Sequence, residues 1–172
     1  MITNECLDAK IDQLTIEDIA AICSWVQTPE ILHRVSGDIA DCLTPDILQN
    51  WRTIALITLA SPAGKPAAFC TLSGQEAPDL PKNHIEMCHL IVDPCRNYLR
   101  NGYQIVTLAR SVAQKFGYEY LCGRVAHGNK YGLALAKYLT AEEVTGTAPW
   151  DIGGFRWFRM KLSQMKEAYY GC

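Results

Sequence analysis

The chain has 172 residues, 49% of them apolar and 20% charged, which is enough to bury one ordinary core, so a single domain over 1–172 is the expectation. A net charge of −2 and a pI near 6.1 argue against a nucleic-acid partner, whose binding domains are usually basic. The eight cysteines are scattered with no CxxC and no Cys/His spacing of the zinc type, so no metal site is expected and the thiols read as small core residues in a reducing compartment. The stretch from Met1 to Asp12 has no apolar run behind a basic flank, and no segment approaches the ~20 apolar residues of a membrane span. A soluble cytoplasmic protein without membrane contact is the expectation.

In chain order, Cys6 to Gln13 alternates and predicts a first strand. Thr15 followed by Asp18 reads as an N-cap with a first-turn acid, opening a helix through Ile16, Ile19, Ile22 and Cys23. Thr28 to Thr44 is mixed and reads as irregular. Thr44-Pro45-Asp46 then opens a second helix, with Thr44 as cap and Pro45 in the first turn. Ile54 to Ala60 and Ala67 to Ser73, joined by Ser61-Pro62-Ala63-Gly64-Lys65, read as a hairpin, and Gln75 to Asn83, with Pro78 and Pro81, as a loop. His84 to Val92 is an apolar strand ending at Asp93-Pro94. The loop Cys95 to Gly102 leads into a helix with Ile105, Val106, Leu108, Ala109, Val112, Ala113 and Phe116 at helical spacing, closed by Gly117. Tyr118 to Ala126 is β-rich, and Asn129 opens a helix through Leu133, Leu135 and Leu139. Glu143 to Thr147 is a weak strand, Phe155 to Leu162 a strong one, and Ser163 to Cys172 a short extension.

The run His84 to Leu139 resembles the coenzyme A half of the GNAT superfamily of acyl-CoA-dependent N-acetyltransferases, and the element order extends the resemblance over nearly the whole chain. It implies an α+β fold: a mixed central sheet of six to seven strands, splayed between the fourth and fifth, with about four flanking helices. The residues that carry the resemblance are Val92-Asp93-Pro94, matching a strand end of the Val-x-Pro type, and Gly102, placed at the last glycine of a Gln/Arg-x-x-Gly-x-Gly/Ala loop. This register puts Asn97 at the Gln/Arg position and Arg100 where the family has its first glycine, so only one diagnostic residue is kept. A loop of backbone amides running into a helix N-terminus suits a pyrophosphate. The resemblance therefore implies acetyl-CoA as cosubstrate, held at Asn97, Tyr98, Leu99, Arg100, Asn101, Gly102 and Tyr103. Arg100, and Arg96 beside it, bring charge where the family relies on close approach. The resemblance also implies that the backbone of Leu90, Ile91 and Val92 pairs with the pantetheine arm like an added strand, and that Asn129, spaced as Val125-x-x-x-Asn129, caps its helix and reaches that arm.

Attack of an amine on a thioester needs a proton acceptor, an oxyanion donor and a means of protonating the thiolate. Glu86 falls, by count from Gly102, where histone-type members of the superfamily carry a glutamate base. Period-two alternation would place it on one face with Cys88, Leu90 and Val92. His89, with an ordinary pKa near 6.5, is the alternative base. The family's usual general acid is a tyrosine seven residues after the asparagine, but Ala136 stands there. Tyr138 is the nearby substitute, displaced two residues or about 200° around the helix; water is the other option.

The resemblance implies an N-acetyltransferase moving acetyl directly to a primary amine, on a small molecule or a peptide, in a ternary complex. Its alternative is a module of the same fold that binds acyl-CoA or a protein with little turnover. A transferase served by acyl carrier protein is a third reading, drawn from Arg96, Arg100 and Lys130. Acceptor determinants are expected in Thr28 to Thr44, where His33 and Arg34 stand out, in Gln75 to Asn83 and in Thr147 to Gly154. A monomer or homodimer is expected, the latter through Phe155 to Leu162.

Overall fold

The computed structural model describes residues 8–36, 40–51, 53–73, 80–144 and 154–162. The expectations for residues 6–7, 37–39, 75–79, 145–153 and 163–172 lie outside these. Seven strands, β1 (Asp8–Ile11), β2 (Ala55–Ala60), β3 (Pro66–Ser73), β4 (His84–Val92), β5 (Tyr120–Ala126), β6 (Glu142–Val144) and β7 (Phe155–Lys161), form one mixed sheet in the order β1-β2-β3-β4-β5-β7-β6. Every neighbouring pair is antiparallel except β4 and β5.

Five helices are described: α1 (Ile16–Ser24), α2 (Pro29–Ser36), α3 (Pro45–Asn50), α4 (Tyr98–Lys115) and α5 (Lys130–Tyr138). The expectation of about four omitted α2. Thr28 accepts from Ile31 N–H and Pro29 starts the helix, but only Leu32 is buried, so no apolar stripe announced it. The caps read from sequence are present. Thr15 and Asp18 form a reciprocal capping box, Thr44 accepts from Ile47 N–H, and Gly117, at φ 84°, follows the end of α4. Among the described residues no helix is long and apolar enough to cross a membrane.

The sheet separates two apolar cores. On one side α4 and α5 place Ile105, Val106, Ala109 and Leu135 against Ile57, Leu72, Ile85 and Leu121. On the other, α1, α2 and α3 bring Ile22, Leu32 and Leu48, with Val26 from the α1–α2 connection, against Phe69 and Ile91. Gly102 is where α4 and α5 cross: a Cβ there would lie 2.9 Å from Leu135 Cδ2. β7 pairs with β5 along its whole length and with β6 over Trp157–Arg159, so it is an interior strand, not the free edge that pairing across a dimer would require.

Candidate active site

The parallel ladder between β4 and β5 is short. It runs from His84–Tyr120 to Met87–Gly123 and stops, although β4 continues to Val92 and β5 to Ala126. Beyond Met87 the parallel register is not continued, so the two strands part alongside Cys88 to Val92. A bulge accompanies the parting. On β3, Phe69 and Thr71 are two residues apart; their partners Ile91 and Cys88 on β4 are three apart, and His89 within that interval has φ 53°. The extra residue reverses the side-chain alternation. Leu90 and Val92 join Ile85 and Met87 on the α4 side, so the shared face of Glu86, Cys88, Leu90 and Val92 expected from simple alternation does not exist.

A cavity of about 430 Å³ occupies the gap. Glu86 through Leu90 line it consecutively. Opposite them are Cys122 to Val125 of β5, Tyr98 and Val106 of α4, Asn129, Gly132, Leu135 and Ala136 at and on α5, and Phe155, Phe158 and Met160 of β7. His33 to Ser36 of α2, a helix packed against β4, also line it.

Two polar groups dominate its β4 side. Glu86, 3% exposed, accepts from Arg124 Nε at 2.5 Å, and the Arg124 guanidinium lies 5.3 Å from the Trp157 ring centroid. Burial works against the Arg124 charge, but the Glu86 carboxylate outweighs it and holds the guanidinium pKa above its ordinary value. His89 is fixed from two directions. Its Nδ1 lies 2.7 Å from Thr71 Oγ1, and its ring stacks on Trp51 with centroids 3.7 Å apart and planes 3° from parallel. Burial pushes the thiol of neighbouring Cys122 up to about 12, with the Glu86 carboxylate adding to the shift and Arg159 opposing it.

The residues expected to hold pyrophosphate lie in the first turns of α4, which starts at Tyr98 rather than after a loop reaching Gly102. With arginine at position 100 where a glycine would favour a loop, the backbone is helical from Tyr98. Asn97 caps the helix: its side chain accepts from Arg100 N–H at 3.0 Å and its carbonyl from Asn101 N–H. The amides of Tyr98 and Leu99 precede the first intrahelical bond and suit an anion. Tyr98 lines the cavity, and burial pushes its phenol up to about 12. Asn101 and Gly102 are buried, Leu99 and Tyr103 exposed. Asn129 caps α5 by accepting from Gly132 N–H and also lines the cavity. Tyr138 is 64% exposed, its ring edge-on to Tyr103, and it is not among the cavity-lining residues, whereas Ala136 is. The structure therefore gathers Glu86, His89, Leu90, Tyr98 and Asn129 around one space and leaves Tyr138 outside it.

A seven-stranded sheet opened at its one parallel pair, with a bulge at the opening and a helix N-terminus at its mouth, matches solved structures closely in shape. An N-acetyltransferase from Staphylococcus aureus Mu50 superposes with a TM-score of 0.63 at 15% identity, covering 90% of this chain and 99% of that one. The fold is the GNAT fold. A candidate acetyltransferase from Salmonella typhimurium with its cofactor acetyl-CoA matches at a TM-score of 0.67 and 14% identity over 95% of this chain and 99% of its own. The paia N-acetyltransferase from Thermoplasma acidophilum in complex with coenzyme A matches at 0.63 and 13%, covering 90% and 99%. No protein-family model matches the sequence, and no curated protein does. Within this GNAT fold, sequence reasoning missed Arg124 and Thr71, and the contact of Trp51 with His89. Only Arg124 carried a signal, as a charge inside an apolar strand.

Proposed function

We propose that this chain is an N-acetyltransferase that moves an acetyl group from acetyl-CoA directly to a primary amine held in the same cavity. The observation that carries this reading is the splay: where the β4–β5 register ends, β4 borders a cavity of about 430 Å³ with two proton-accepting side chains in its wall. An extended pantetheine arm is suited to that stretch of β4, because an amide-rich chain can pair with the backbone groups of a strand. At its outer end the amides of Tyr98 and Leu99, with the charge of Arg100, suit a pyrophosphate. The residues present therefore fit the cosubstrate, with fewer loop amides than a glycine-rich sequence would offer, because Asn97 already uses Arg100 N–H.

Reaction requires the amine nitrogen to bond to the acyl carbon while the carbon–sulfur bond breaks. The amine gives its proton to a wall residue, Glu86 or His89, and the departing thiolate takes one. Backbone N–H groups at the bulge are candidates for holding the developing oxyanion. Alignment of amine and thioester is worth roughly 7–11 kcal/mol, and acid–base assistance about 10²- to 10⁴-fold more. The lack of a tyrosine at position 136 is therefore compatible with turnover, the thiolate being protonated from water or by Tyr98. We place the acceptor beside His33, Arg34 and Phe155, which line the cavity.

A second reading, a GNAT-fold module that binds acyl-CoA with little turnover, draws on the exposed position of Tyr138 and the capped Arg100 amide. Calorimetric titration with acetyl-CoA and with dephospho-CoA, for the protein and its Arg100→Glu variant, tests the shared premise. Micromolar binding weakened by the variant is expected; no binding at millimolar ligand would sink both readings. A screen of primary amines then separates them, with Glu86→Gln and His89→Gln as controls: turnover supports the transferase, and binding without turnover the module.

A further inference from the structure

Resting on the transferase reading, we infer that the acceptor is an amine that also carries a carboxylate on an apolar body, and that Arg34 is the residue that selects for it. Arg34 stands in the last turn of α2, is exposed, and lines the cavity. A cation at that place favours the C-terminal end of its own helix, which would be reason enough for a basic residue on the surface. Its charge is nevertheless little engaged. Among the described residues Arg34 is in no ion pair. The carboxylate that feels it, Glu30, lies one turn back on α2 and does not line the cavity. Glu30 is held below the ordinary carboxylate range first by its own backbone amide and then by Thr28, with Arg34 the smallest of the causes that lower it.

The rest of the wall sets the sign of the ligand. Among the described residues Glu86 is the one acidic side chain lining the cavity, and it is already ion-paired with Arg124. Two arginines against one glutamate leave the wall with an excess of positive charge. A diamine would bring a second ammonium to a wall whose carboxylate is matched, and is disfavoured. An amine with a carboxylate supplies the charge that Arg34 lacks, and a guanidinium can hold a carboxylate through two parallel hydrogen bonds. Beside Arg34, the His33 ring lies 6.4 Å from that of Phe155, at 53°. This contact ties α2 to the start of β7, whose Phe155, Phe158 and Met160 line the cavity with apolar surface. A hydrocarbon body fits such a wall better than a sugar or a polyamine. An apolar amino acid joins all three parts: an amine, a hydrocarbon side chain and a carboxylate.

L-phenylalanine, L-phenylalaninamide and 2-phenylethylamine share an amine and a ring and differ in the carboxylate; L-leucine, L-leucinamide and 3-methylbutylamine repeat the comparison for an aliphatic body. Titrated calorimetrically into protein saturated with coenzyme A, which carries no acyl group to transfer, the amino acid of at least one set is expected to bind about tenfold or more tighter than its two analogues. Arg34→Gln should abolish that difference and Arg34→Lys keep part of it, with affinity for coenzyme A unchanged in both. In assays with acetyl-CoA, Arg34→Gln should raise KM for the amino acid and leave KM for the decarboxylated amine where it was. Equal binding within both sets, or a preference for the amino acid that survives in Arg34→Gln, overturns the inference. So does a loss that falls equally on all three members of a set, which is what a role confined to the end of α2 would give. Carboxylate-selective binding without acetylation of the bound amino acid would instead overturn the transferase reading and leave the carboxylate site in place.

Discussion

Burial of single groups in the cavity wall makes the protein sensitive to alkali. Cys122 and Tyr98 are both pushed up to about 12, from ordinary values of 9.0 and 10.0, with desolvation the leading cause in each. The unfolded chain therefore ionises first as pH rises. The stability these groups contribute is complete below about pH 9 and is lost progressively as pH climbs to about 12. Thermal melts at a series of pH values should show a melting temperature falling above pH 9, and a shallower fall in Cys122→Ala. The Glu86–Arg124 pair gives a second expectation. Glu86→Gln removes one charge of a buried pair while keeping its shape, and should cost about 2 kcal/mol of unfolding free energy in urea. Its kcat should drop by less than tenfold if His89 is the base. The pairing of Glu86 with Arg124 was not legible in the sequence. Glu86 could be placed by counting, but its partner sits 38 residues away on another strand.

At the scale of elements, the glycines of α4 and α5 set how closely these helices pack beside the cavity. Gly102 reads in sequence as the end of a loop, yet it lies in a helix as Gly132 does, and both serve close packing. At Gly132 a Cβ would meet Val125 Cγ1 at 2.8 Å and Asn129 Nδ2 at 2.9 Å, and Asn129 is the cap of the same helix. Gly132→Ala gains about 1 kcal/mol of helix propensity but displaces a cap worth about 1 and overpacks a site at a cost of about 1–3, for a net loss of about 1–2 kcal/mol. It should also weaken acetyl-CoA binding, since Asn129 lines the cavity. Gly102→Ala meets only the Leu135 side chain and should cost less. Urea unfolding and calorimetry on the two variants check that order. The helices themselves, their caps and nearly all strands were readable from local spacing. α2 was not, because a short helix with one buried residue leaves no periodic trace, and the start of α4 was placed too late because Asn97 as a cap looks no different from Asn97 in a loop.

For the whole molecule, charge is distributed unevenly. α4 and α5 carry Arg100, Arg110, Lys115, Lys130 and Lys137 and no acidic residue, in a chain whose net charge is −2. The two helices cover the same face of the sheet, so that face is cationic beside the mouth of the cavity. An anionic cosubstrate would be drawn to it, and the attraction should be screened by salt. Raising ionic strength from 0.05 to 0.5 M is expected to weaken acetyl-CoA binding severalfold. Lys130→Glu combined with Lys137→Glu should weaken it at low salt and flatten the salt dependence. Affinity indifferent to salt would remove this face from the binding site.

The sequence by itself determined most of the element order, the caps of α1 and α3, and the apolar face and end of α4, because these depend on residues within a few positions of one another. Only the tertiary structure decided which side chains meet in the gap. The bulge at His89 reverses the alternation that a linear reading must assume, and it is visible only in the register of β3 against β4. The pairing of Glu86 with Arg124, the clamp of Thr71 and Trp51 on His89, and the exposure of Tyr138 are likewise settled by strands and helices far apart in the chain, whose relative placement no local pattern encodes.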